Sequence, residues 1–208
     1  MKKVILIFTL LITTLTYSQK FGFHFGVNLS THLDKDRVQN NSKELDYKNV
    51  FGINIGIDYK KEISNNLFLL SGLNFTQNGF EHDELIVNGG KYVAKSAKLN
   101  YLQIPIVLSL DSRKTKIGPN LKLGGYFSYL VGGKYTISNF PFEKPLDEEF
   151  QRFDYGLTGG IRIKLNKFTL DFIYNLGLNN IAEDGDNTFL QTIIRNRSFN
   201  VNLIYWIK

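Results

Sequence analysis

The chain has 208 residues, no cysteine and a formal net charge of +6, and aromatic side chains make up 14% of it. Without cysteine, a disulfide framework, a thiol nucleophile, a zinc-thiolate centre and a lipid-modified N-terminal cysteine are all excluded. The positive charge is scattered rather than gathered into a basic stripe between stacking aromatics, so the sequence does not indicate nucleic-acid binding.

The N-terminus has the organisation of a secretory signal peptide, which we predict to span residues 1–18. Lys2 and Lys3 supply its positive charge, and Val4–Leu15 supplies an apolar stretch of about a dozen residues. That stretch is too short for a membrane-spanning helix, which needs about 20 apolar residues. Residues 19–208 are therefore expected to form the exported domain.

Alternation of apolar and polar residues recurs along the exported chain and predicts eight strands. A row of apolar side chains lies on one face of each strand, and smaller or polar residues lie on the other. In chain order the eight segments are Phe21–Leu29, Phe51–Tyr59, Leu67–Phe80, Leu99–Leu110, Lys116–Gly132, Tyr155–Leu165, Phe168–Leu176 and Phe199–Ile207.

The connections between these segments alternate in length, beginning with a long one. This arrangement places both chain termini at the same end as every short turn, as in outer-membrane barrels with short periplasmic turns and longer outside loops. The short connections are Lys61–Asn66, Asp111–Thr115 and Asn166-Lys167, and the long polar ones are Ser30–Asn49, Glu81–Ser96, Tyr135–Arg152 and Leu178–Ile193.

The composition of the second face predicts which face meets lipid. A water-soluble barrel would carry many Lys, Glu and Asp residues opposite its apolar row, but here Gly, Asn, Ser and Thr dominate. Small and amide side chains suit the filled interior of a narrow barrel. Ten residues at a rise of about 3.3 Å and a tilt near 45° cover close to the ~25 Å apolar band of such barrels. The sequence therefore predicts an all-β fold, an eight-stranded antiparallel up-and-down transmembrane β-barrel with its apolar rows facing outward.

Several segments also resemble a known family, the Bacteroidetes-type outer-membrane β-barrel domain often described as PorT-like. The resemblance rests mainly on KFGFHFGVNLS (Lys20–Ser30), LNYLQIPIVLSL (Leu99–Leu110) and KIGPNLKLGGYFSYLVGGK (Lys116–Lys134). It extends over nearly all of the exported chain and implies a small barrel in the outer membrane of a Gram-negative cell, without implying an activity. The chain departs from the usual terminal aromatic of such barrels, since it ends in Ile207 and Lys208.

Five polar residues are predicted to meet inside the barrel. If Leu165 faces Phe168 across a two-residue turn, Arg162 lies opposite Asp171 with both side chains pointing inward. Asp58, Lys122 and His24 are expected at a similar depth, by their places in their own strands. A proton or ligand site is one interpretation of this network. A structural network of paired charges is the interpretation that we favour, because a buried charge needs a partner.

No catalytic, metal or cofactor site is predicted. His24 lies in a predicted strand, whereas His32 and His82 fall in two different outer loops, and no metal-ligand spacing or phosphate-binding loop occurs. No Ser appears in a G-x-S-x-G turn. We therefore expect a protein that is not an enzyme and that uses no cofactor.

The predicted function is that of a small monomeric outer-membrane protein with a structural or interaction role through its surface loops, in the envelope or in secretion. The expected partners are outer-membrane lipid and lipopolysaccharide, the barrel insertion machinery, and an envelope protein bound through the loops. Two alternatives remain open at this point. One is a soluble, lipocalin-like barrel that binds a small hydrophobic ligand, and the other is an enzyme with its site at the loop end.

Overall fold

The computed structural model describes residues 19–36, 48–86, 91–111, 117–137, 150–182 and 192–207. Eight strands account for most of these residues. They are β1 (Gln19–Asp36), β2 (Val50–Ser64), β3 (Leu67–Ile86), β4 (Lys91–Leu110), β5 (Ile117–Ile137), β6 (Phe153–Leu165), β7 (Phe168–Gly177) and β8 (Thr192–Ile207). The predicted signal peptide lies outside the described residues and stays a prediction.

The strands form one closed barrel in sequence order. Each strand pairs antiparallel with the next, and β8 returns to pair with β1 from Phe21↔Ile207 to Asp36↔Thr192. Closure leaves no unpaired sheet edge, which is the condition for placing a sheet in hydrocarbon. The predicted eight-stranded up-and-down barrel is confirmed. Among the described residues, no helix has the length and apolar character needed to span a membrane.

The two faces of the wall are divided as the sequence predicts. Outward side chains such as Phe25 and Leu123 are 60% and 69% exposed, and they belong to continuous apolar rows. Inward side chains such as Asn28 and Asn200 are 1% and 0% exposed. The apolar surface therefore surrounds an interior whose middle is polar, the reverse of the arrangement in a water-soluble protein.

Aromatic side chains pack in pairs at both rims of the apolar band, where amphipathic rings favour the membrane–water interface. Two pairs lie at the short-turn end and one lies at the loop end. The ring centroids are 5.5 Å apart in Phe21–Tyr59, 5.3 Å apart in Phe168–Tyr205 and 5.1 Å apart in Tyr129–Phe153.

Glycine and larger polar residues alternate on the inner face of the β1–β2 hairpin, so that each cross-strand pair combines one of each. The four successive pairs are Gly22↔Asp58, His24↔Gly56, Gly26↔Asn54 and Asn28↔Gly52. A Cβ atom on Gly52 would lie 2.3 Å from Asn28 Oδ1 and 2.0 Å from the carbonyl oxygen of Gln77. Because such contacts are far too short, glycine is required for the polar side chains to fit in this narrow interior.

The strands reach further than the hydrophobic alternation predicts, and part of the predicted loop Glu81–Ser96 is wrong. β3 and β4 stay paired as far as Ile86↔Lys91, so both flanks of that segment are strand. β2 likewise continues to Ser64, which leaves only Asn65-Asn66 between β2 and β3. The alternation marks contact with lipid, whereas backbone pairing continues into water, where both faces of a strand can be polar.

A β-bulge in β5 changes which side chains face inward near the loop end. The β4–β5 register shifts between Asn100 and Tyr101, which leaves one extra residue in β5. Odd-numbered residues of β5 face outward as far as the extra residue, Val131, which is 46% exposed. Beyond it the order is reversed, and Tyr135 is buried in the interior. A bulge is a common means of re-aiming a side chain at the rim of a barrel.

Candidate functional site

The interior of the barrel is the candidate site, and its middle contains the predicted charged residues. Arg162 pairs with Asp171 in the β6–β7 register, as the two-residue turn at Asn166-Lys167 predicts. Arg162 Nη2 donates a hydrogen bond to Asp171 Oδ2 over 2.9 Å. Lys122 Nζ donates to the same oxygen over 2.7 Å, from the strand on the other side of β6. One carboxylate oxygen therefore lies between two buried cations.

A second group in the middle of the barrel is centred on His24. Its Nδ1 lies 2.7 Å from Asp58 Oδ2, and its Nε2 lies 3.2 Å from Asn54 Oδ1. The five predicted residues, which we call the charged layer, are His24, Asp58, Lys122, Arg162 and Asp171. All five line one small cavity of about 40 Å³. The structure thus brings them together as one triad and one pair, and their structural role stays a prediction.

An apolar cluster fills the interior at the loop end, and sequence reasoning did not identify it. Phe80, Tyr135 and Phe150 form its aromatic centre, with ring centroids 6.5 Å apart for Phe80–Phe150 and 5.6 Å apart for Tyr135–Phe150. We call the cluster the apolar plug. Its members are Phe80, Ala97, Leu99, Tyr101, Leu130, Tyr135, Phe150 and Ile181.

The apolar plug left a partial signal in the sequence. On the inner face of β4, the polar Gln103 is followed towards the loop end by Tyr101 and Leu99, which are both completely buried. Tyr135 was predicted to begin an outer loop, which is wrong, because β5 continues to Ile137 and the bulge just before Tyr135 turns its side chain inward. Phe150 falls within a segment that was predicted to be loop, where alternation gives no guidance.

A network of neutral donors joins the apolar plug to Asp154. Asp154 Oδ2 accepts hydrogen bonds from Asn196 Nδ2 over 2.9 Å and from the Tyr126 hydroxyl over 3.3 Å. Asn196 also bonds to the Tyr101 hydroxyl, and its Oδ1 lies 2.7 Å from His32 Nε2. The prediction that His32 belongs to an outer loop is therefore wrong, since it is a buried residue of β1. β1 continues beyond its apolar row, so the strand end that the alternation predicted lies too early in the chain.

The described histidines do not form a metal centre. His82 was also expected in a loop but belongs to β3, because β3 extends past Phe80 to Ile86. Within the part of the chain that the structure describes, no three His, Asp or Glu side chains are grouped so that they could hold a metal ion.

The short-turn end of the interior is lined by a group of cationic residues that sequence reasoning did not assemble. We call it the basic cup, a cavity of about 60 Å³. Lys60 Nζ donates a hydrogen bond to Asp111, which also accepts one from the Ser109 hydroxyl. The residues lining the basic cup are Lys20, Lys60, Asp111, Asn120, Arg162, Lys164, Asn166, Thr169 and Trp206.

The interior therefore has three zones along the barrel axis: the apolar plug at the loop end, the charged layer in the middle and the basic cup at the short-turn end. Eight strands enclose just enough space for side chains, and here side chains fill most of it. Such an interior can hold the wall together and can accept small ions or water. The two cavities described above, among the charged layer and in the basic cup, are small, at about 40 and 60 Å³.

Comparison with known proteins agrees with this architecture. A sequence profile of the outer membrane protein beta-barrel domain matches residues 17–183, and the chain belongs to that family. Its place is therefore the outer membrane of a Gram-negative bacterium. No curated protein is significantly similar to the chain.

Two solved structures share the fold at low sequence identity. The crystal structure of neisserial surface protein A (NspA) matches with a TM-score of 0.51 and 12% identity, and the match covers 88% of this chain and 96% of NspA. The outer membrane protein OprG from Pseudomonas aeruginosa matches with a TM-score of 0.50 and 8% identity, covering 91% of this chain and 96% of OprG. At these identities the likeness shows the fold alone.

The alternative of a soluble, lipocalin-like carrier is wrong. Such a barrel needs an apolar cavity inside and a polar surface outside, and this chain has the opposite arrangement. The outward rows are apolar, the middle of the interior is polar and charged, and the family is one of outer-membrane proteins.

Proposed function

We propose that this protein is a structural or interaction component of the outer membrane. In this proposal the barrel anchors the protein in the membrane and the surface loops bind its partners. The observation that supports the proposal is the filled interior. The apolar plug occupies the loop end, and charged and amide side chains occupy the middle. An interior of this kind disfavours passage of solutes and leaves recognition to the outer ends of the strands.

The proposed partners depend on which part of the barrel each of them would contact. The apolar rows contact outer-membrane lipid, the loop end meets lipopolysaccharide, and the chain reaches the membrane through the barrel insertion machinery. We propose that the protein is a monomer and that an envelope protein binds its loops. We also propose that the protein is a PorT-like barrel and that it has a role in the envelope or in secretion. Neither an enzymatic activity nor a cofactor nor nucleic acid is part of it.

A complementation experiment separates a loop function from a function of the interior. In a strain that lacks the gene, one variant replaces residues 37–47, 138–149 and 183–191 by short glycine-serine turns and keeps the barrel. A second variant carries His24→Gln and Asp58→Asn, which removes one predicted interior site and keeps the loops. Both are checked for folding by the difference in gel mobility between heated and unheated samples.

We expect the interior variant to restore the wild-type phenotype and the loop variant to fail, although both fold. In planar bilayers the purified wild-type barrel is expected to show no stable conductance. A loop variant that complements fully, or an interior variant that folds and fails, contradicts the proposal. The latter result would favour a proton or ligand site in the charged layer.

A further inference from the structure

We propose that the basic cup binds a small oxyanion of the phosphate type, which enters from the short-turn end of the barrel. This site is separate from the loops and does not depend on what they bind. The proposal rests on the charges that line the cup, on one buried guanidinium group, and on the position of the opening.

The lining of the basic cup is strongly unbalanced in charge. Four of its residues are cationic and one, Asp111, is a carboxylate. Asp111 is hydrogen-bonded to Lys60, whose ammonium group also lies 4.1 Å from the centre of the Phe68 ring. Arg162 is paired with Asp171, which lies outside the lining of the cup, and Lys20 and Lys164 are left without a carboxylate in that lining. A concave wall that carries one sign of charge raises the local concentration of ions of the other sign.

Arg162 supplies the evidence that points to a ligand. The residue is 3% exposed and lines both the cavity of the charged layer and the basic cup. Its Nη2 bonds to Asp171, but its buried Nε and Nη1 atoms have no hydrogen-bond partner among the described residues. A buried N–H group that has no acceptor is costly, and it is more so on a charged guanidinium. An oxyanion in the cup would accept a hydrogen bond from one of these two groups, and a charge-assisted hydrogen bond from arginine to an oxyanion is among the strong ones.

The neighbours of Arg162 hold the guanidinium group in place. Its central carbon lies 5.6 Å from the centre of the Trp206 ring. Trp206 is fixed in turn by its indole nitrogen, which donates a hydrogen bond to the Thr169 hydroxyl over 2.9 Å. A preset donor loses little freedom when the ligand binds, which favours affinity. The cavity of about 60 Å³ is also larger than the ~10–15 Å³ that a single water molecule requires.

The basic cup opens where a solute can reach it. Lys20 begins β1 and is exposed, Lys164 is half-buried near the end of β6, and Asn166 belongs to the exposed β6–β7 turn. This is the end of the short turns, which faces the periplasm in barrels of this class. The apolar plug lies at the opposite end, so the ligand enters and leaves from the periplasmic side.

Trp206 is the only tryptophan of the chain and lies in the wall of the cup, so its fluorescence reports on the site directly. The refolded barrel in a zwitterionic detergent is titrated with inorganic phosphate, while sodium chloride keeps the ionic strength constant. We expect a saturable change in Trp206 emission. The chloride series alone, over the same ionic strengths, is expected to give no saturable change.

A pair of double variants tests whether the response comes from the cup. Lys20→Gln with Lys164→Gln removes two cations that line it, and we expect the apparent affinity for phosphate to fall at least about tenfold. Lys61→Gln with Lys167→Gln removes two cations from the same end of the barrel that do not line the cup. This control is expected to stay within about twofold of the wild type.

A titration with glycerol phosphate distinguishes the source of the ligand. Tighter binding of glycerol phosphate assigns the cup to a phosphate ester such as a lipid headgroup, and tighter binding of inorganic phosphate assigns it to the free ion. The proposal is overturned if phosphate produces no saturable change, or if both double variants lose affinity equally, since the effect would then be general charge screening.

Discussion

Arg162 and Asp171 face each other across the β6–β7 hairpin, and Arg162 Nη2 donates a hydrogen bond to Asp171 Oδ2 over 2.9 Å. Lys122 reaches the same oxygen atom from β5. Asp171 therefore binds two cations at once, whereas Asp58, the other carboxylate of the charged layer, is paired with His24 alone among the five residues. The first two predictions follow from this arrangement.

Replacing Asp171 by Asn should destabilise the barrel severely, because Arg162 and Lys122 would both lose their anion while remaining buried. Leaving a buried charge without its partner costs about 3–5 kcal/mol. The measurement is the urea-dependent unfolding of the refolded barrel in lipid vesicles, followed by tryptophan fluorescence.

Asp154→Asn is the matched control. Asp154 is also buried but accepts from the neutral donors Asn196 and Tyr126, so we expect a loss of only about 1 kcal/mol. Equal losses in the two variants would contradict the role assigned to Asp171.

Removing the whole triad should restore most of the stability that the single substitution loses. The variant with Lys122→Met, Arg162→Met and Asp171→Leu leaves no buried charge unpaired, and we expect it within about 2 kcal/mol of the wild type. The double variant with Arg162→Met and Asp171→Leu leaves Lys122 buried without its anion, and its free energy of unfolding should fall by about 3–5 kcal/mol. A double variant as stable as the triple one would mean that Lys122 does not depend on Asp171. Both are measured by the same unfolding experiment.

Gly52→Ala should destabilise the barrel by about 1–3 kcal/mol through overpacking. The added Cβ would lie 2.3 Å from Asn28 Oδ1 and 2.0 Å from a carbonyl oxygen, and the backbone cannot move away within a closed sheet. Gly132→Ala is the control, since a Cβ there meets nothing within 4 Å. It is expected to change the free energy of unfolding by less than about 0.5 kcal/mol. The two variants are compared by urea unfolding, and similar losses would show that glycine is not needed for the close approach at Gly52.

Ile55→Arg should cost about 2–4 kcal/mol, and Ile63→Arg should cost about 0–1 kcal/mol. Both isoleucines lie on β2 and are about half exposed, at 48% and 54%. Ile55 lies in the middle of the outward apolar row, where an arginine would meet hydrocarbon. Ile63 lies beside the short turn after β2, where the charge can reach water. The free energy of unfolding is measured in vesicles, and equal costs would place the apolar band elsewhere on the wall.

Much of this architecture can be predicted from the sequence because lipid imposes a simple rule. Every outward position in the apolar band must be apolar, so the alternation identifies the strands and their faces. The two-residue turn at Asn166-Lys167 then fixes the register between β6 and β7, which is why the Arg162–Asp171 contact could be predicted. Asn166 adopts a φ of 59° there, a left-handed conformation that asparagine tolerates better than most residues.

What escaped prediction depends on interactions outside that rule. The contact between Lys122 and Asp171 spans β5 and β7, and it forms only because the closed wall curves around a narrow interior. The burial of Tyr135 depends on one inserted residue in β5, which no alternation reveals in advance. The basic cup draws on both ends of the chain, since Lys20 and Trp206 meet there only after closure.

The alternation of glycine and polar residues on β1 also bears on how the barrel closes. Gly26 is opposed by Asn54 on one side and by Asn202 on the other, and a Cβ on Gly26 would lie 2.1 Å from Asn202 Oδ1. A slip of two residues at the β1–β8 seam would set Asn202 against a larger side chain, either His24 or Asn28. This position therefore favours the native alignment over a slip of two residues. Because strand number and stagger together set the diameter of a barrel, this glycine helps to fix the width of the cylinder.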